Sequence, residues 1–340
     1  MYVREKTVDD VMHVVIARLL KSENRIKPTK GSATEVTGVL IQITRPRARL
    51  SRTEMKGTLF SCLGELLWYL AKSNDLAFIS YYLKHYKQYS DDGKTVYGAY
   101  GPRMFRMRGN NQVANIIGLL RKRPYYRQAV IQLFDGSDIL QKHKDVPCTC
   151  TLQFMIRRRR LHMFTNMRSN DAFLGLPHDI FAFTMLQEIL ARSLHVDLGT
   201  YNHSIGSLHL YKAHRDGARQ YLREGWQPTT LMPSMPVTNP WSSISKVVKA
   251  ERLIRQGRKI DIGSLRLHPY WADVVRLLQI YWHFKRKETD PIMQLKRKMS
   301  VRLYDSYIGD KALTAEKRAA KDSPKIIVST KRSNGRRAIL

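Results

Sequence analysis

The chain has 340 residues, 43% of them apolar, and 59 Lys or Arg against 28 Asp or Glu give a formal net charge of +31. That length and apolar content suffice for a large core and exclude a disordered or low-complexity chain. Three cysteines, Cys62, Cys148 and Cys150, cannot build a disulfide framework and point to a reducing, cytoplasmic setting. No 18-residue apolar run and no signal peptide stand in the sequence, so no membrane span is expected. A Cys-x-Cys pair without clustered Cys or His is no metal site.

Residues 8–21 carry apolar positions at helical spacing behind Asp9 and Asp10, which predicts an amphipathic helix. A Lys-rich loop holding Lys30 precedes a strand over 35–44. Residues 59–70 are apolar almost all round, so the helix they predict is buried. Glu65 stands inside it, and a carboxylate there is costly unless it is hydrogen-bonded or functional. A helix over 78–86 and a turn at 90–93 lead into Tyr97-Gly98-Ala99-Tyr100-Gly101. A helix over 111–120 and a strand over 129–134 follow. Strands over 154–156 and 161–164 flank Arg157 to Arg160, a charge run that reads as a solvated hairpin tip. Residues 179–194 predict an apolar helix, 224–241 are irregular and proline-rich, and 242–283 are again helical in period. From 285 to the end, 16 Lys or Arg face 6 Asp or Glu. This predicts a catalytic domain over 1–285 and a basic, partly mobile C-terminal extension over 286–340.

Three segments carry the chemistry: Pro147-Cys148-Thr149; Met167-Arg168-Ser169-Asn170-Asp171 with Leu174-Gly175-Leu176-Pro177-His178-Asp179-Ile180; and His209-Leu210-Tyr211. Cysteine attacks carbon as the thiolate, which a neighbouring guanidinium favours, and Arg168 is the obvious cation. These segments resemble the thymidylate synthase family, whose pattern runs Pro-Cys-His, Gln-Arg-Ser-x-Asp-x-x-Leu-Gly-x-Pro-Phe-Asn-Ile and His-x-Tyr. The likeness extends over roughly residues 35–215. It implies an α/β (α+β) fold with a mixed sheet packed against helices, and a homodimer joined through its sheets.

The resemblance also implies roles. Cys148 is the nucleophile, Glu65 lies in the family's Glu-Leu-Leu-Trp motif, and Tyr97 is the proton-transfer tyrosine. A nucleotide is held by Arg168, Ser169, His209, Tyr211, Lys30, and Arg127 from a second subunit. The one-carbon donor, 5,10-methylenetetrahydrofolate, is held by Asp171, Leu174 and Gly175, with Leu83 and Tyr86 standing at two positions where the family carries tryptophans. Asp179 departs from the family's Asn, which can donate to uracil O4 and accept from N3–H together. A carboxylate suits the cytosine amine, the pattern of cytidylate hydroxymethylases. The expected reaction is therefore hydroxymethylation of CMP or dCMP at C5, with thymidylate synthesis from dUMP as the alternative. An enzyme for a nucleotide phosphate and an acidic folate gains from a positive field. A basic nucleic-acid-binding relative without catalysis is the alternative of another class.

Overall fold

Thr7 and Asp10 exchange side-chain-to-backbone hydrogen bonds, a capping box that starts helix α1 (Val8–Lys21). The structure, a computed structural model, describes residues 1–28 and 31–322; Lys30 lies outside the described residues. Chain order runs β1 (Tyr2–Glu5), α1, β2 (Arg25–Ile26), β3 (Ala33–Ile43), α2 (Leu59–Leu70), α3 (Leu76–Tyr82), α4 (Tyr100–Arg106), α5 (Gln112–Lys122), β4 (Val130–Gln132), β5 (Thr149–Arg157), β6 (Arg160–Asp171), α6 (Gly175–Ser193) and β7 (Asp197–Tyr211). Then come α7 (Arg215–Arg223), α8 (Trp241–Arg255), α9 (Pro269–Lys285), α10 (Thr289–Arg297) and α11 (Asp305–Asp322).

The strands form one mixed sheet in the order β1-β3-β7-β6-β5-β4, with β2 on β3. β1 runs parallel to β3 and β6 parallel to β7, and the other pairs are antiparallel. This is the mixed α/β architecture expected from the sequence. Period-2 alternation turns Val39, Ile41 and Ile43 of β3, Leu152, Phe154 and Ile156 of β5, and Leu161 and Met163 of β6 into the core. The opposite face is left bare in places: Leu40, Phe164 and Val130 are 40%, 37% and 39% exposed.

Helix α6 is buried along nearly its whole length and packs on β6 and β7. It starts at Gly175, one turn earlier than the expected 179; Pro177 is tolerated there because a first-turn N–H has no helical partner to lose. β7, which pairs with both β3 and β6, was not foreseen as a strand. Its polar Asn202 and His203 are buried side by side, which breaks the alternation that signals one. Among the described residues no helix is long and apolar enough to cross a membrane.

Part of the basic, partly mobile extension expected over 286–340 needs correction, and its residues 323–340 lie outside the described residues. Up to Asp322 it is α10 and α11, both packed on α9, with Ile292, Tyr304, Tyr307 and Ile308 buried. Arg297, Lys298, Arg302, Lys317 and Arg318 are exposed, and composition averaged over the segment hid the apolar stripe. The Tyr307 hydroxyl donates to the Ser51 carbonyl at 2.6 Å, and Arg52 Nη1 donates to the Leu303 carbonyl at 3.1 Å. α11 and the turn before it thus brace the loop that leads into α2. A chain ended after Lys285 is expected to lose at least about 3 kcal/mol, since each large apolar side chain uncovered contributes roughly 1.5–3 kcal/mol. Urea denaturation measures this, and an unchanged midpoint would contradict it.

Candidate active site

Cys148 precedes the first residue of β5, at the end of a loop tied down by Arg168 of β6. Arg168 Nε donates to the Pro147 carbonyl at 3.0 Å and Nη2 to the Val146 carbonyl at 3.1 Å, while Nη2 lies 3.6 Å from Cys148 Sγ. The Arg168 backbone N–H donates to the Cys148 carbonyl at 2.9 Å. A guanidinium at this distance stabilises negative charge on sulfur, the form in which cysteine attacks. The two Nη1 hydrogens remain for an acceptor from outside. Gly98 makes room for the loop, because a Cβ there would stand 2.6 Å from Asp145 Oδ2 and 3.2 Å from the Val146 carbonyl carbon.

Glu65 projects from the buried α2. Its carboxylate accepts from the Tyr69 hydroxyl at 3.0 Å and from the Tyr86 hydroxyl. Burial raises its pKa, against the pull of the two phenols. Asp179, in the first turns of α6, is half-buried in the same region. Burial first and the Glu65 charge second hold its carboxyl well above the usual carboxylate range, opposed by a hydrogen bond from Asn170. Gly175 keeps that corner open, since its Cβ would fall 2.8 Å from Asn170 Oδ1 and 3.6 Å from Asp179 Oδ2.

The tyrosine brought to this group is Tyr100, not Tyr97. The Thr149 N–H and hydroxyl both donate to the Tyr100 oxygen, at 3.1 and 3.0 Å, leaving the phenol its own proton to donate. Burial, with Asp179 and Cys148 nearby, pushes the Tyr100 pKa well above its ordinary value. Tyr97 instead stacks on His143 with ring centroids 3.6 Å apart, and its hydroxyl bonds Asp138, which Arg103 pairs at 2.7 Å. Two Tyr-Gly pairs stand three residues apart in the sequence, and the second opens α4. The tryptophan positions counted back from Tyr100 move by the same three residues, to Tyr86 and Tyr89. Leu83 is half-buried between α3 and the following short 3-10 helix.

Ser169 Oγ lies 3.5 Å from His209 Nδ1, and the rings of His209 and Tyr211 meet edge to face at 4.9 Å. Asp171 accepts from the Phe173 and Leu174 N–H groups at 2.8 and 3.0 Å, fixing the turn into α6. Arg127 is exposed in the loop before edge strand β4, its carbonyl accepting from Gln153 at 2.9 Å. It is not brought to the Cys148 group within this chain.

Two neighbours were missed from sequence. Lys56 is 5% exposed, with its amine 3.4 Å from the Phe173 ring centroid. Burial lowers its pKa to about 8, with Asp171 opposing. His178 is half-buried, with Nε2 3.0 Å from Ser61 Oγ and Nδ1 3.0 Å from the Leu174 carbonyl. Burial and Lys56 lower its pKa to about 4, so it is neutral. No spacing rule marks Lys56; His178 stands where the family pattern has Phe, and that departure was the available signal.

Residues 10–251 match the family described as thymidylate synthase. The chain belongs to the thymidylate synthase family. Three curated relatives carry the name deoxyuridylate hydroxymethyltransferase. That of Delftia phage PhiW-14 is 32% identical over 207 residues, 57% of either chain. Those of Pseudomonas phage M6 and Bacillus phage SP01 are 33% and 30% identical over 172 and 213 residues, covering 49% and 55% of the relatives. The similarity thus spans about half the length of these relatives.

Glu65 titrates with a sign that can be checked. Its folded pKa is raised above the ordinary 4.5, so its contribution to stability is present at low pH and is lost as pH rises through the folded value. Glu65→Gln removes that loss and keeps an acceptor for both phenols. Relative to the parent chain, the variant's stability is expected to rise as pH increases above about 4.5. Parallel pH dependences in denaturant titrations would contradict the assignment.

Proposed function

We propose that the protein transfers a one-carbon unit from 5,10-methylenetetrahydrofolate to C5 of a pyrimidine nucleoside monophosphate and releases the hydroxymethyl nucleotide, with cytidylate, CMP or dCMP, as substrate. The observation that carries this reading is the half-buried Asp179 carboxyl beside Glu65, near the Cys148 loop. Cys148 Sγ adds to ring C6, and the electron pair moves to C5, which becomes the carbon nucleophile. Tyr100 and Glu65 move protons at the ring and accept the proton that leaves C5. Expulsion of Cys148 Sγ restores the ring. The folate supplies the carbon and leaves as tetrahydrofolate, and water supplies the hydroxyl, so no redox step is needed. Phosphate is held by Arg168 and by Arg127 of a second subunit through charge-assisted bonds. Ser169, His209 and Tyr211 hold the sugar side.

The residues present suit a folate. Leu83, Phe173 and the 40% exposed Leu174 offer apolar surface, and Asp171 and Gly175 shape the turn beside it. Lys56, held short of full counter-charge, suits an acidic tail. Tyr86 and Tyr89 in place of indoles leave a more polar wall, which favours water over hydride as the partner of the transferred carbon. A homodimer is supported by the uncovered sheet face. Val130, Gln153, Phe164, Asn202 and Gln42 form one row across five strands there. A thiol nucleophile fits a reducing cytoplasm.

Asp179 reads the base. Its raised pKa favours the neutral acid, which donates to cytosine N3 and accepts from the 4-amino group without protonating the ring. Turned over, the same acid donates to uracil O4 and accepts from N3–H, whereas the ionised form repels O4. Deoxyuridylate is therefore the second reading, favoured by the relatives named deoxyuridylate hydroxymethyltransferase.

Two experiments follow. Tyr100→Phe is expected to lower kcat about a hundredfold or more, while Tyr97→Phe changes it less than about threefold; the reverse order would return the role to Tyr97. Incubating the protein with the folate and each of CMP, dCMP, UMP and dUMP, with product masses read, tests the substrate. Asp179→Asn is expected to shift kcat/KM from cytidylate toward uridylate by at least about tenfold, or 1.4 kcal/mol. A parent enzyme that already prefers dUMP would install the second reading.

A further inference from the structure

We propose that the sheet end formed by the β5–β6 hairpin, the first residues of the loop after α5 and the loop after α6 is a docking surface for single-stranded nucleic acid. Arg158 and Arg159 form a two-residue turn with φ of 49° and 56°, and Arg157 and Arg160 pair across it. Both turn residues are left-handed, the primed hairpin geometry that Asn-Gly fills at least cost. Arginine there carries backbone strain and projects two exposed guanidinium groups. A groove of about 470 Å3 joins this turn to two other loops, with Arg121, Pro124, Tyr125, Ile156, Arg159 and His195 on its walls.

The charge is one-sided. No Asp or Glu occurs in residues 112–134 or 146–170. The exposed acid at this end is Asp197, beside Arg160 in the sheet register. Lys122 and Arg123 extend the basic surface at the end of α5. Its second feature is aromatic: Tyr125 is 75% exposed, and Arg123 lies 4.9 Å over the Tyr126 ring. Clustered cations fit a run of phosphates, and an uncovered ring offers a stacking platform for an unpaired base. The cations and the ring share a concave groove, which admits a narrow strand and holds a flat bilayer surface away from its floor, so a single strand is the occupant the shape and charge favour.

Fluorescence anisotropy of the full chain with a labelled oligothymidylate of about 20 nucleotides, across about 0.05–0.3 M salt, tests this. The duplex of equal length and anionic phosphatidylserine vesicles serve as parallel probes. The double reversal Arg158→Glu and Arg159→Glu is expected to weaken single-strand binding at least tenfold. It should also reduce the slope of log affinity on log salt by roughly 1.4, about 0.7 for each phosphate contact. Tyr125→Ala is expected to weaken single-strand binding about tenfold with the slope and duplex binding unchanged. Melting midpoints equal to the parent's show that both variants are folded. The proposal is overturned if Lys296→Glu with Arg297→Glu on α10 weakens binding as much as the hairpin reversal. It also fails if the hairpin reversal has no effect, or if Tyr125→Ala leaves single-strand binding intact.

Discussion

Glu65 is buried and Asp179 half-buried near it, and desolvation rather than an ion pair dominates the charge of both carboxyl groups. The contrast lies in the same core. Arg49 donates to Glu188 at 2.6 Å with both side chains fully buried, and the other Glu188 oxygen accepts from the Met235 N–H at 2.9 Å. Glu188 is thus a paired structural charge. Glu65 receives two phenols and Asp179 one amide, groups that orient a carboxyl without neutralising it. A fold that keeps such groups must hold their surroundings rigid, because desolvation is unfavourable unless the site uses it.

Rigidity comes from elements remote in sequence. α2 packs close enough to α3 that a Cβ on Gly64 would lie 2.1 Å from the Tyr82 ring, and Tyr82 donates to the buried Glu251 of α8 at 2.9 Å. α11 reaches back to Ser51, and Leu303 just before it accepts from Arg52, so the loop carrying Lys56 is braced by the C-terminal helices. The helices that composition marked as an appendage therefore support the entry to α2. Their net charge and their packing are separate properties of opposite faces.

What was legible in the sequence was contiguous. Cys148, Arg168, Ser169 and Asp179 sit in short motifs whose order survives, and the structure brings Cys148 against Arg168 and Glu65 near Asp179. Glu65 was legible because a carboxylate inside an apolar helix is anomalous in one dimension as well as in three. Tyr100 was misread because two Tyr-Gly pairs satisfy one pattern, and only the start of α4 separates them. Lys56 and His178 were missed because their surroundings, Phe173 against Lys56 and Ser61 against His178, come from other segments. β7 escaped because buried polar residues interrupt its alternation.

The excess charge divides by its partners. Arg168 is held by two carbonyls and a sulfur, Lys56 is buried against Phe173, and Arg127 stands exposed before an edge strand. These three cations account for little of +31, and a nucleotide with one acidic cofactor needs no more. A positive field that served only substrate capture would be concentrated around the Cys148 loop, where field lines focus into a cleft. The hairpin arginines stand instead at the far end of β5 from Cys148, nine residues along a strand that rises about 3.3 Å per residue. That separation exceeds the screening length of about 8 Å at physiological salt. The two groups of cations act independently, and the outer one calls for a polyanion of its own.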